Sequence, residues 1–223
     1  MNIKYIDDQT NKQNDAYSYI SQKIESGEYP QGMMLIERRI CAELNISRTP
    51  VRSALAQLAS EGELVDYYPN FGMSVRRVTE QDIREIYAIR AMIDTTAVTH
   101  FIKQNDPVNM QKLAQINEDI QAALSRGNTA DVTMLIGVMY QFVLDNCNNS
   151  RLSKIMTNIL PRIRQLRHDL LMHQSPMENQ KDFCEFCKNY VYAVRKGKTK
   201  EAVSLLSEHY DQMMEKQLKL ISR

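Results

Sequence analysis

The stretch Leu44-Asn45-Ile46-Ser47-Arg48-Thr49-Pro50-Val51-Arg52-Ser53-Ala54-Leu55 decides how the first third of this chain folds. It reads as the end of one helix, a short turn and the start of another. Asn45 can take the left-handed conformation that ends a helix. Ser47 is a good N-cap for the next one, and Pro50 falls in its first turn, where a missing N–H costs nothing. Val51, Leu55 and Leu58 recur at helical spacing and form an apolar face, until Gly62 stops the helix. Arg48 and Arg52, four positions apart, share the opposite face.

Upstream, residues 1–12 are polar and are expected to fray. Tyr17, Ile20 and Ile24 mark a helix over 14–27 that Gly27 caps. Tyr29-Pro30-Gln31-Gly32 is a turn, and a short helix is expected over 36–44 with Ile40 and Leu44 on one face. Downstream, extended segments 64–67 and 73–77 flank Pro69-Asn70-Phe71-Gly72, the pattern of a β-hairpin with a four- or five-residue loop. The order helix, helix, turn, helix, hairpin is that of a winged helix-turn-helix.

In such a module the last helix enters the major groove with its N-terminal residues at base edges. Arg suits bidentate contact with guanine or phosphate. Ser47 and Thr49 can donate to phosphate near the helix N-terminus. The tip Asn70-Phe71-Gly72 is small enough to reach along the minor groove, and Arg76 and Arg77 follow it. The plainer alternative is a solvated helix face carrying two unremarkable arginines.

After Thr79 the pattern is helical throughout. Thr79 and Asp82 form a capping-box-like start. Helices are expected over 80–105, 107–126, 128–147, 150–173, 177–196 and 198–221, separated at Asp106-Pro107, Arg126-Gly127-Asn128, Asn148-Asn149-Ser150, Ser175-Pro176 and Lys196-Gly197-Lys198. The domains therefore divide near Val78, into 1–78 and 79–223.

Composition agrees. The chain has 223 residues, 43% hydrophobic and 25% charged, with only seven Gly and six Pro, which favours helix. The net charge of +1 means that any DNA contact comes from a local Arg cluster, not a polybasic chain. Cys41, Cys147, Cys184 and Cys187 lack secreted disulfide spacing, and the polar N-terminus has no apolar signal core. No apolar run approaches the roughly 18 residues of a membrane span. The expected setting is the cytoplasm, with no membrane partner.

The run Ser47-Arg48-Thr49-Pro50-Val51-Arg52 with Ala54-Leu55, preceded by Tyr29-Pro30-Gln31-Gly32 and Leu35-Ile36-Glu37-Arg38, resembles the signature of the GntR family of bacterial regulators. The resemblance implies DNA contacts by Arg38, Arg48 and Arg52, and a minor-groove approach at Gly72. Without it, Arg38 reads equally well as a surface residue. The remainder resembles the FCD class of that family through Glu85-Ile86-Tyr87-Ala88-Ile89-Arg90-Ala91-Met92-Ile93-Asp94, Asn148-Asn149-Ser150-Arg151-Leu152, and Arg195-Lys196-Gly197 with Ala202, Glu208 and His209. Asp94 stands where the family usually has Glu. A bundle of six or seven helices around a central cavity is implied.

Many members of that class hold a divalent metal with one Asp and three His. The matching positions here are Ile136, Tyr140, Cys187 and His209. Ile136 cannot coordinate, and one His with one Cys rarely suffices. This departure from the family's set implies no metal and no cofactor, only a degenerate site at Ile136, Tyr140, Cys187 and His209, while Arg90, Tyr140, Cys187 and His209 are expected to bind a small-molecule effector.

Several of these residues carry a second reading. Arg90 matches a cavity Arg that would pair with an organic acid, or it forms a structural ion pair with Asp94. Tyr140 donates to a ligand or fills the cavity. Cys184 and Cys187 could join His209 in a zinc or redox site, or they are buried thiols among aromatic residues. His168 and His173 are expected to face solvent or satisfy local carbonyls, and the 13 Met serve as adaptable lining or ordinary core.

The function that follows is a homodimeric transcription regulator, in the first instance a repressor, binding double-stranded DNA at a palindromic operator under effector control. The rivals are a helical metal-dependent enzyme and a non-DNA-binding interaction module. No paired carboxylates, Ser-His-Asp order or phosphate loop supports the enzyme.

Overall fold

The computed structural model describes residues 3–173 and 176–222, with the side chains of 10–170 and 181–222. Among these residues there are nine helices and one two-stranded sheet, in two compact units. One unit is Met1–Val78 with Asn158–Gln165; the other is Thr79–Thr157 with Leu166–Arg223.

The first unit contains α1 (Ile3–Glu25), α2 (Glu37–Leu44), α3 (Arg48–Glu61), β1 (Val65–Tyr68) and β2 (Gly72–Val75). Helix α1 starts well before the expected position, so that the described residues 3–12, expected to fray, are helical. No Gly or Pro lies between Ile3 and Gly27, so nothing interrupts elongation once the helix is nucleated. Gly27 and Asn45 take the left-handed conformation that ends α1 and α2 (φ 73° and 52°).

Ala16, Ile20 and Ile24 of α1 pack against Val51, Ala54, Leu55 and Leu58 of α3, with Ile40, Leu64, Val65 and Val75 closing the core. Each such aliphatic side chain contributes about 1.5–3 kcal/mol when fully buried.

The hairpin is tighter than its sequence suggested. Tyr68 pairs with Gly72, so the loop is the three residues Pro69, Asn70 and Phe71. Asn70 and Gly72 both take positive φ (66° and 100°), which closes the turn in fewer residues. β1 begins one residue late, although Arg76 N–H still donates to the Leu64 carbonyl at 2.8 Å. A third extended segment went unnoticed in the sequence. Residues 32–35 run antiparallel to β2 through Leu35 N–H to Met73 O (2.8 Å) and Val75 N–H to Met33 O (2.9 Å).

The second unit is built from six helices: α4 (Glu80–Gln104), α5 (Pro107–Ser125), α6 (Thr129–Asp145), α7 (Ser150–His173), α8 (Pro176–Arg195) and α9 (Thr199–Ile221), except for the middle of α7, which belongs to the first unit. Thr79 and Asp82 form a reciprocal capping box at the start of α4. Asp106 caps α5 ahead of Pro107 at its first position. Ser175 of the expected Ser175-Pro176 break lies outside the described residues. α4 packs on α9, α5 on α6 and α8, and α8 on α9. Pro161 lies inside α7 in the stretch that joins the first unit, where it cannot donate to the helix ladder. Within that unit the buried Arg162 donates to the carbonyls of Arg76 (3.3 Å) and Arg77 (2.8 Å).

Leu55→Ala is expected to destabilise the first unit by about 2–5 kcal/mol in urea unfolding. A loss below about 0.5 kcal/mol, the range of surface substitutions, would contradict its place in the core.

Candidate nucleic-acid interface and buried polar site

The packing of α3 sorts its side chains. With Val51, Ala54, Leu55 and Leu58 turned into the core, Ser47, Arg48, Thr49 and Arg52 are left exposed. Ser47 occupies the N-cap position in extended conformation, but its hydroxyl makes no capping hydrogen bond. That leaves the first N–H groups of α3 without a side-chain cap, beside two exposed hydroxyl residues and two exposed arginines.

The two arginines are not equivalent. Arg52 forms a forked pair with Glu37 of α2, Nε to Oε1 at 2.9 Å and Nη2 to Oε2 at 3.0 Å. This guanidinium holds the Glu37 carboxyl below the usual carboxylate range. The sequence reading missed Glu37. Its only signal was an acidic residue at the start of α2, a position equally explained by the helix dipole. Exposed pairs contribute about 0–1 kcal/mol, so this one orients Arg52 without locking it.

Arg38 is exposed on α2, while its neighbour Arg39 pairs with Glu43 at 2.8 Å. At the wing tip Asn70 and Gly72 are exposed, and Phe71 is 81% exposed. Tyr67 and Tyr68 are exposed on β1.

In the second unit Arg90, Tyr140 and His209 come together on α4, α6 and α9, joined by Asp94 and Tyr210. Arg90 donates from Nη2 to the Tyr210 hydroxyl at 3.0 Å, and its Nε lies 3.4 Å from the Asp94 carboxylate. Tyr210 in turn donates to Asp94. Burial opposes the Arg90 charge, yet Tyr210 and Asp94 outweigh it and hold the guanidinium above its ordinary range. Burial pushes the Asp94 carboxyl up. The ion pair that stood beside the ligand reading of Arg90 is therefore present, and it leaves the Arg90 Nε without a hydrogen-bond partner.

His209 stacks on Phe186, with ring centroids 3.9 Å apart and planes 11° from parallel, and meets Phe183 edge-on at 5.0 Å. Burial holds its imidazole well below the ordinary range, so it is neutral at pH 7. Cys187 is buried near Tyr140, and burial pushes its thiol up; the Cys184 thiol rises to about 11 for the same reason. Both are buried thiols of low reactivity.

Ile136 is also buried. Across Ile136, Tyr140, Cys187 and His209, an aliphatic chain, a phenol, a protonated thiol and a ring-stacked imidazole do not fit the Asp-and-three-His metal set. Among the described residues no three His, Cys, Asp or Glu side chains gather as metal ligands.

Two residues depart from expectation. His168 neither faces solvent freely nor bonds a carbonyl: its Nδ1 is buried without a hydrogen bond, 3.7 Å from the Asp169 carboxylate. The His173 side chain lies outside the described residues. Arg167, absent from the sequence-based candidates, sits within 5.8 Å of the Tyr140 ring centroid. Nothing in its local sequence distinguished it from the other arginines of α7.

Comparison with known proteins gives a consistent picture. Residues 12–66 match the model of bacterial regulatory proteins of the gntR family, and residues 85–212 match the FCD domain. The gluconate operon transcriptional repressor of Bacillus subtilis is 25% identical over 197 residues, 87% of this chain and 80% of that protein. The HTH-type transcriptional regulator McbR of Escherichia coli is 24% identical over 184 residues, 82% and 81% of the two chains. Among solved structures, a GntR-type regulator from Rhodococcus sp. RHA1 superposes with a TM-score of 0.79 at 22% identity, covering 94% of this chain and 98% of that one. The Escherichia coli McbR/YncC structure superposes with a TM-score of 0.81 at 20% identity, with the same coverage. At these identities the structures establish likeness of fold. No described helix is long and apolar enough to cross a membrane.

Asp94→Ala removes the carboxylate beside a buried guanidinium. It is expected to cost about 3–5 kcal/mol in chemical unfolding. A change within about 0.5 kcal/mol would show that the pair is not desolvated as described.

Proposed function

Since the chain belongs to the GntR family of bacterial regulatory proteins and carries an FCD domain, we propose that it is a cytoplasmic homodimeric repressor whose operator affinity is set by a small organic acid. The family is one of transcription regulators, not enzymes, and DNA-binding regulation is the activity that comes with it.

The observation that carries the reading is the outward pair Arg48 and Arg52 on a helix whose other side is buried. In this reading residues 1–78 bind DNA. Arg48 and Arg52 reach base edges or phosphates in the major groove. Ser47 and Thr49 donate to a phosphate at the start of α3. Arg38 adds a backbone contact from α2, and Asn70 and Gly72 approach the minor groove. On meeting DNA, Arg52 exchanges its exposed pair with Glu37 for a contact of greater value, because charge-assisted contacts at a desolvated interface are stronger than surface ion pairs.

Residues 79–223 then bind the effector and hold the dimer. Two reading heads related by a two-fold axis imply two half-sites, and so a palindromic operator. Arg90, Tyr140, Cys187 and His209 line the effector site, with Arg90 as the group that suits an acid. The effector acts by binding one arrangement of the dimer better than the other, with a coupling of about 1–3 kcal/mol. Repression is the sign favoured by the names of the gluconate operon relatives.

Arg48→Ala and Arg52→Ala are each expected to weaken binding to a duplex selected from a random pool by about 1–3 kcal/mol. Fluorescence anisotropy at fixed salt measures this. Unchanged affinity in both variants would remove α3 from the interface.

A further inference from the structure

Burial falls away along the hairpin of the first unit. Val65 and Val75 at its base are buried, whereas Tyr67, Tyr68 and the whole loop are exposed. Four-residue strands carry the tip roughly 13 Å from that base. At the end stands Phe71, with 81% of its surface in solvent. A lone exposed apolar side chain is ordinary, but this one is held in place. The Phe71 N–H donates to the Tyr68 carbonyl at 3.0 Å. This closes a β-turn with Pro69 second and Asn70, of positive φ, third, the type II pattern. Behind the tip Met34 pairs with Ser74, and its methyl lies 3.6 Å from where a Cβ on Gly72 would stand. A closed and braced loop presents the ring, so little backbone entropy is left to lose on binding.

The wing carries no cation. From Val65 to Val75 the only charged side chain is Asp66, with the Tyr68 hydroxyl 3.5 Å from its carboxylate. A hairpin that met DNA through phosphates would bring Lys or Arg and release counterions. This one brings a carboxylate and three exposed aromatic rings, Tyr67, Tyr68 and Phe71. The apolar part of a duplex is its base stack. Leu64 and Val65 share a core with Leu55 and Leu58 of α3, so the hairpin is built into the same body as the helix that offers Arg48 and Arg52. The partner that this body serves is duplex DNA.

We propose that Phe71 is a wedge that enters the minor groove, inserts its ring between two stacked base pairs and kinks the duplex, so that the protein selects base steps that unstack readily. This rests on the DNA-binding reading above and adds to it a readout of deformability, made without a hydrogen bond to any base. Apolar side chains inserted in this way kink a duplex by about 20–90°. Pyrimidine–purine steps, TA and CA above all, give way most readily. Stacking of the ring on a base offsets part of the stacking that is lost.

The test selects duplexes from a random pool with wild type and, separately, with Phe71→Ala. Phe71→Leu serves as the variant that keeps an apolar wedge. The ring lies outside the core, so all three proteins are expected to unfold at the same urea concentration. The wild-type pool is expected to be enriched in TA or CA steps at a fixed distance from the half-site read by α3, and the Phe71→Ala pool is not. On the wild-type duplex Phe71→Ala is expected to bind about tenfold more weakly. Its slope of log affinity against log salt stays unchanged, because no phosphate contact is lost. Phe71→Leu recovers most of the affinity. Energy transfer between dyes at the two duplex ends is expected to report a bend with wild type and Phe71→Leu, and a straighter duplex with Phe71→Ala. Equal affinity and equal bend in Phe71→Ala would overturn the wedge and leave the DNA-binding reading standing. A flatter salt slope in that variant would overturn it too, since the tip then acts through phosphates. A wild type that selects no duplex removes both.

Discussion

The first unit depends on the burial of one side of α3. Val51, Ala54, Leu55 and Leu58 are sealed against Ala16, Ile20 and Ile24 of α1, and the helix cannot rotate about its axis without exposing them. That constraint keeps Arg48 and Arg52 outside, because residues on the face away from the core have nowhere else to go. The rest of the unit supports this setting. Asn45 ends α2 in the left-handed conformation, Glu37 steadies Arg52 from the neighbouring helix, and the pairing of residues 32–35 with β2 ties the wing to the chain entering α2.

The second unit is governed by a different constraint, the containment of charge in a poorly solvated interior. Arg90, Asp94 and Tyr210 satisfy one another closely, whereas Arg167 and the Tyr140 hydroxyl do not share in that network. A packed core without a ligand role would gain from apolar residues at such positions. The positions matching the family's metal ligands carry an aliphatic chain, a phenol, a thiol and a stacked imidazole, all of them buried and uncharged.

The helical plan was legible because its signals are local. Gly27, Asn45, Gly62, Thr79 and Asp106 mark helix ends by conformations or caps that depend on few neighbours. The outward face of α3 was equally legible, since period and apolar spacing decide it. What escaped was set by residues far apart in sequence. Glu37 meets Arg52 across two helices, residues 32–35 pair with β2, and Arg167 meets Tyr140 from another helix. The hairpin loop came out too long because positive φ at Asn70 and Gly72 allows a tighter closure than the spacing of apolar residues suggests. α1 runs further because polarity by itself does not break a helix. Of the buried site, Arg90, Tyr140 and His209 were found through resemblance, while Asp94 entered only as an alternative partner for Arg90.

The central claim is that α3 offers Arg48 and Arg52 to the floor of a DNA groove from a core that fixes their direction. A crystal structure of the protein on a duplex selected from a random pool tests it most directly. The account predicts the N-terminal turn of α3 in the major groove, with both guanidinium groups within hydrogen-bond distance of bases or phosphates and Arg52 released from Glu37. A complex in which α3 lies off the duplex, with Arg52 still forked to Glu37, would contradict it.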